Sequence, residues 1–248
     1  TLNMSKGYTV ALIGNPNCGK TTVFNGLTAA RQKVGNWPGV TVDRKSGKYA
    51  EGDKTVEVVD LPGIYSLVVA PGMESIDEQI AQQFLIEEDV DVILNVIDAS
   101  NLERNLYLTA QLLELGLPMV VALNMLDVAE KRGLSFSPDH LAEHLGCPIV
   151  TCIANKDMGI ADIKAVLATT AHQKTPPTGM LTYDNAVETA IRSLTPSVEK
   201  ETTDGVLPRW MAVRLLEGDP YVSSLISQSF RSQADIMIET LESEQGED

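Results

Sequence analysis

The stretch "YTVALIGNPNCGKT", residues 8–21, constrains this chain more than any other. An apolar, β-rich run ends in Gly14, the pattern G-x-x-x-x-G-K-[ST] is met by Gly14, Gly19, Lys20 and Thr21, and a helix-like segment follows at once. A buried strand feeding a glycine loop and then a helix N-terminus satisfies that order. Glycines let the loop curl so that backbone amides point inward, and the helix adds its positive end. The expected chemistry is a phosphate cradle running from Gly14 through Asn15, Pro16, Asn17, Cys18 and Gly19 to Lys20, Thr21 and Thr22. Lys20 would reach the β- and γ-phosphates and Thr21 would ligate Mg²⁺. The competing reading, a chance glycine-rich turn, fits the flanking strand and helix poorly. A nucleoside triphosphatase or kinase follows.

Apolar runs at 8–13, 56–60, 90–98, 118–124 and 148–153 alternate with helical segments at 20–28, 75–88, 101–116, 137–146 and 159–169. Such alternation indicates a mostly parallel sheet covered on both faces, with ligands at the carboxyl ends of the strands. Polar alternation and a Gly-Asp turn in residues 43–60 add an antiparallel edge hairpin, which makes six strands. After residue 171 the pattern changes. "HQKTPPTGM" reads as a linker, and helical periodicity at 183–194, in "PRWMAVRLLEG" and in "ADIMIETLE" predicts a small all-helical domain. The expected division is 1–7 leader, 8–171 nucleotide domain, 172–181 linker and 182–248 helical domain. Met4 reads as a natural start, Thr1 to Asn3 carry no role, and the acidic end "ESEQGED" is expected to fray.

Further contacts should stand just past later strands, and they do. Asp60 opens D-x-x-G with Gly63, suited to holding Mg²⁺ through water while the glycine amide senses the γ-phosphate. Asn124 and Asp127 form N-x-x-D after the strand "PMVVAL"; the carboxylate can accept from both the ring N–H and the exocyclic amine of guanine, an arrangement adenine does not offer. Met125 stands where a lysine is usual. The later "NKD" at 155–157 has the wrong spacing, with Met158 where an aspartate is needed. Ile153, Ala154 and Asn155 occupy the place of a short base-contacting loop, commonly Ser-Ala-Lys, and so offer backbone contacts. Residues 34–43, "VGNWPGVTVD", read as a mobile loop in which Gly39 and Val40 approach the phosphates and Thr41 completes Mg²⁺ coordination. The expected class is therefore α/β: a Ras-like P-loop GTPase domain followed by helices.

Net charge is −15, from 34 acidic against 19 basic residues, which argues against a phosphate-backbone binder and so against nucleic acid. Cys18, Cys147 and Cys152 are odd in number and have no metal-ligand spacing, as expected in a reducing compartment. The longest apolar stretches fall short of the roughly 20 residues a spanning helix requires. His140 and His144 share a helical face without a third ligand. Glu74, Glu78, Glu87, Glu88 and Asp89 read as a solvated, capping cluster rather than a relay for iron.

Together "GNPNCGKTTVFN", "VGNWPGVTV", "DLPGIYSL", "DEQIA", "VIDASNLERNLYLT" and "ALNMLD" resemble the cytoplasmic N-terminal part of the bacterial ferrous iron transport protein B family, strongly over 8 to about 170. The helical tail resembles that family's spacer, described as GDP-dissociation-inhibitor-like. The resemblance implies a slow GTPase at the cytoplasmic face of the bacterial inner membrane, coupled to an Fe²⁺ permease lying beyond Asp248. Homo-oligomers and small cytosolic accessory proteins are possible partners. It also implies an enzyme whose catalytic glutamine is replaced by a hydrophobic residue, here Ile64. Lys20, Asn17, Thr41 and Gly63 would then carry catalysis. Asn17, with backbone carbonyls of Gly35 and Trp37, would hold an activating K⁺ that supplies the charge an arginine finger gives elsewhere. Asn17 could instead simply shape the loop. Cys18 stands where the family usually has serine; a redox-sensitive thiol is conceivable there, but a tolerated small residue is the favoured reading. Two other classes remain open: a ribosome- or RNA-associated GTPase, and a P-loop ATPase or kinase with relaxed GTP/ATP selectivity.

Overall fold

The computed structural model describes residues 5–29, 32–68, 75–179, 181–201 and 208–245. Met4, Glu74 and the last three residues of the acidic end lie outside them. The elements run β1 (Ser5–Gly14), α1 (Lys20–Thr28), β2 (Gln32–Asn36), β3 (Asp43–Glu51), β4 (Lys54–Asp60), α2 (Ile76–Glu87), β5 (Val92–Asp98), α3 (Leu102–Leu115), β6 (Met119–Asn124), α4 (Leu126–Lys131), α5 (Pro138–Leu145), β7 (Ile149–Thr151) and α6 (Ile160–Gln173). Four further helices follow: α7 (Asn185–Glu201), α8 (Pro208–Leu216), α9 (Pro220–Ser224) and α10 (Gln228–Gln245).

The sheet has seven strands in the order β2-β3-β4-β1-β5-β6-β7. Strands β4, β1, β5, β6 and β7 pair in parallel, and β2 and β3 add two antiparallel ladders. The six-strand expectation misses β2, and the expected loop over 34–43 begins as strand. Gln32 to Asn36 pair with Gly47 to Asp43, and all five residues are exposed. An outermost strand held by its ladder needs no apolar face, so "QKVGN" carries none of the alternation that marks a strand in sequence. The hairpin of residues 43–60 is confirmed, but β2 covers it and takes the edge.

Side-chain alternation along the central strands builds two cores. Val10 and Leu12 of β1 face Phe24 of α1 and Leu167 of α6, whereas Ala11 and Ile13 face the side of Phe84 of α2 and Leu112 of α3. The helices past residue 181 do not form a separate core: Leu194, Trp210, Val213 and Phe230 belong to the same cluster as the α2–α3 face. Buried polar pairs fasten this junction. Arg214 Nη2 donates to Glu114 Oε2 at 2.9 Å, Tyr183 donates to Glu114 Oε1 at 2.6 Å, and Gln82 Nε2 donates to Asp219 Oδ2 at 2.7 Å. Residues 178 and 179 are likewise tied down, since the amides of Thr178 and Gly179 donate to carbonyls of Gly146 and Leu145. Among the described residues, no helix is long and apolar enough to cross a membrane.

Candidate nucleotide-binding site

The loop after β1 has the expected backbone. Asn17 and Gly19 adopt φ of 67° and 89°, and the Cys18 amide donates to Asn15 O at 3.3 Å, so the chain curls before entering α1. Gly19 is required twice over. Its positive φ disfavours other residues, and a Cβ there would stand 2.2 Å from Asn124 Nδ2.

At the carboxyl end of β4, Asp60 pairs with Lys20. The DLPG stretch continues alongside the loop: Leu61 N–H donates to Leu12 O at 3.0 Å and Ile64 N–H donates to Gly14 O at 3.3 Å. Gly63 lies so close that a Cβ would meet Pro16 Cα at 3.3 Å. Lys20, Thr21, Thr41, Asp60 and Gly63 line one open cleft of ≈ 480 Å³. The oxygen donors of Thr21, Thr41 and Asp60 suit a hard divalent cation such as Mg²⁺. Asp43, Lys45 and Asp77 line the same cleft and were missed in the sequence. Asp43 and Lys45 lie on an antiparallel strand paired with β4, and Asp77 is in the first turn of α2. Strand register and helix entry, rather than any motif, bring them in.

Of the residues expected to hold K⁺, Asn17 lies in the loop after β1 and Gly35 sits in β2 opposite Arg44, with β3 and β4 between β2 and β1 in the sheet. Trp37 is buried, its ring edge-on to Phe84 of α2 at 5.5 Å and covered by the Arg44 guanidinium at 4.9 Å. Its amide donates to Val42 O at 2.9 Å, which closes the β2–β3 turn that carries Gly39, Val40 and Thr41.

At the base end, Asn124 is a buried knot rather than an exposed reader. Its Nδ2 donates to Cys18 O at 3.0 Å, and its Oδ1 accepts the Ala154 amide at 3.0 Å. One side chain thus ties the phosphate loop to the 153–155 loop. Met125 takes φ 61° and starts α4, which projects Asp127 from its first turn. Lys156 Nζ reaches Asp127 Oδ2 at 3.3 Å. The "NKD" tripeptide, wrong as a specificity motif, therefore carries a lysine that touches the carboxylate.

Ile64 is 3% exposed and belongs to the same hydrophobic cluster as Trp37, Leu61 and Leu67. Its side chain is a core residue and does not line the cleft. The segment beyond it is held by α3: Gln111 Oε1 accepts the Leu67 amide at 2.6 Å, and Arg104 stacks on Tyr65 at 4.2 Å. Burial pushes the Cys18 thiol up to about 11, a stronger effect than the lowering by the amide and charge of Lys20, which agrees with a tolerated small residue. The His140 and His144 rings contact each other at 4.4 Å, and no cluster of three metal-capable side chains occurs among the described residues. Glu87, Glu88 and Asp89 are exposed, whereas Glu78 is half-buried in α2 and burial raises its carboxyl.

The doubly covered sheet, the loop between β1 and α1, and the D-x-x-G and N-x-x-D segments define a P-loop GTPase domain of Ras-like type, followed by helices. Residues 8–167 match the family described as "Ferrous iron transport protein B", and residues 183–248 match the FeoB cytosolic helical domain. The chain belongs to the ferrous iron transport protein B family. It is 47% identical over 220 residues to the Fe(2+) transporter FeoB of Salmonella typhimurium, covering 87% of this chain and 28% of that protein. The chain thus spans little more than a quarter of the length of that relative. The cytosolic domain of L. pneumophila FeoB superposes with a TM-score of 0.83 at 42% identity, covering 96% of this chain and 90% of that one. A point mutant of S. thermophilus NFeoB bound to mGDP gives 0.87 at 40% identity, with 97% and 91% covered.

Proposed function

We propose that this chain binds and slowly hydrolyses GTP, and that it regulates or drives Fe²⁺ uptake by an attached membrane permease at the cytoplasmic face of a bacterial inner membrane. The single observation that carries the nucleotide reading is the buried Asn124, which joins the phosphate loop to the loop beside Asp127. In this reading residues 14–22 cradle the phosphates, and Thr21, Thr41 and Asp60 hold Mg²⁺, which neutralises phosphate charge when bound. Gly63 reports the γ-phosphate by its amide. Lys20 exchanges Asp60 for phosphate oxygens. Asp127 selects guanine, and Ile153, Ala154 and Asn155 contribute backbone at the base. Residues 8–171 act as the G domain, 172–181 as linker and 182–248 as the helical spacer. GDP-bound relatives support the nucleotide class.

Activation by K⁺ rests on Asn17 and the family resemblance, with the backbone carbonyls of Gly35 and Trp37 closing the site. Oligomerisation and small accessory proteins belong to the same proposal; nucleic acid does not. Side-by-side GTP and ATP titrations test the central reading: tight GTP and weak ATP binding are expected, and equal affinities refute it. Turnover in equimolar KCl and NaCl tests the cation, with equal rates counting against it.

A further inference from the structure

Asp127 carries the guanine selectivity proposed above, and it does not stand alone. Lys156 Nζ lies 3.3 Å from its Oδ2 across the base end of the site. The loop that presents Lys156 is tightly made. Ile153 and Met158 exchange backbone hydrogen bonds at 3.1 and 3.3 Å, and a single 3-10 turn, Ala154–Lys156, closes on Asp157 at φ 56°. The Ala154 amide at the start of that turn is held by Asn124. The lysine is therefore aimed from a hairpin whose base is anchored to the same buried side chain that anchors the phosphate loop.

Two departures noted in the sequence give this contact a purpose. Ile153 supplies no hydroxyl where a serine is usual, and Met125 supplies no ammonium where a lysine is usual. A carboxylate that must accept two N–H groups from one planar base has to be ionised and rotationally fixed. Asp127 is 20% exposed and sits in the first turn of a short helix, so neighbouring groups must fix its rotation. A carboxylate offers about four lone-pair positions. Lys156 occupies one on Oδ2 and leaves the others for the base.

We propose that Lys156 is a positioning residue for guanine selectivity, holding the Asp127 carboxylate in the orientation that the ring N–H and the exocyclic amine of guanine require. The proposal rests on the guanine-nucleotide reading above. It places a specificity determinant outside the N-x-x-D motif, in a segment whose own sequence looks like a misplaced copy of that motif.

Equilibrium titration of the purified chain with fluorescent GDP, IDP and ADP tests it, since IDP keeps the ring N–H and lacks the exocyclic amine. Lys156→Met is expected to weaken GDP roughly 1.5- to fivefold, the range for one exposed ion pair. It should weaken IDP less, so that the GDP-over-IDP preference falls. Lys156→Arg restores the preference. In an Asp127→Asn background, Lys156→Met leaves GDP affinity unchanged, because the coupling has lost its partner. Undiminished GDP affinity in Lys156→Met, equal losses for GDP and IDP, or a full effect in the Asp127→Asn background overturns the proposal. Each of these leaves the guanine reading standing, whereas a parent protein that binds ADP as tightly as GDP overturns that reading and the proposal with it. Both lysine variants should melt with the parent, since Lys156 is 55% exposed.

Discussion

Replacing Ile64 separates two roles that the sequence alone confuses. The position aligns with the water-aiming side chain of other nucleotide hydrolases, yet here it is 3% exposed in the cluster with Trp37, Leu61 and Leu67. Ile64→Ala removes buried carbons from a site pinned on both sides, by Gly14 O at its own amide and by Gln111 at Leu67. The cavity can collapse little, so a loss of about 3 kcal/mol is expected. At roughly 2–4 °C per kcal/mol for a chain of this size, the midpoint should fall by about 6–12 °C. Ile64→Val should cost about 1 kcal/mol. Neither change touches the cleft, so GTP turnover per folded molecule, measured well below the lowered midpoint, should stay within about twofold of the parent. Ile64→Gln, which puts back the side chain used elsewhere, should destabilise without accelerating hydrolysis, because the amide would be buried away from water. Calorimetry and phosphate release on the same preparations provide both readouts. A tenfold loss of turnover in a variant that remains folded, or a gain in Ile64→Gln, would refute the assignment of this side chain to the core.

The cysteines give a second check. Burial pushes Cys18 up to about 11 and Cys147 and Cys152 up to about 12, so on the order of one thiol in a thousand or fewer is ionised at pH 8. Alkylating reagents should label none of them in the native chain and all three after denaturation. At the junction, Arg214→Met leaves the buried Glu114 carboxylate with Tyr183 as its partner and removes the ion pair to Glu217, Arg214 and Glu114 being 1% and 2% exposed, and should lower stability by about 3 kcal/mol by denaturant titration. The Arg209 fork holds Glu188 down at about 2 from an ordinary 4.5. A carboxyl lowered by folding contributes stability that is complete above about 4.5 and is lost as pH falls through 2. Melting midpoints of the parent and Glu188→Gln should therefore differ at neutral pH and converge near pH 2.

Much of this was legible because periodicity and punctuation agreed. Continuous apolar strands announced the parallel sheet, and the fixed glycines and Lys20 announced the loop. What escaped was structure held by partners rather than by pattern. The edge strand β2 has no apolar face, α4 and α9 have six and five residues and so too few turns to show a period, and the shared core under α8 depends on which faces meet. In the site, Lys45, Asp77 and Lys156 are brought in by register, helix entry and a tight hairpin, none of which a linear motif encodes. The burial of Cys18 escaped for a related reason. Its place at a helix entry is visible in the sequence, while its burial is not.

The Gln82–Asp219 bond, with the Tyr221–Glu87 contact at the far end of the same helix, has a mechanical consequence. Helix α2 begins beside the cleft with Asp77 and ends strapped to α9. A shift of α2 relative to α9 would have to break the buried Gln82–Asp219 hydrogen bond, so the helix that begins beside the cleft is expected to move with the bundle or not at all.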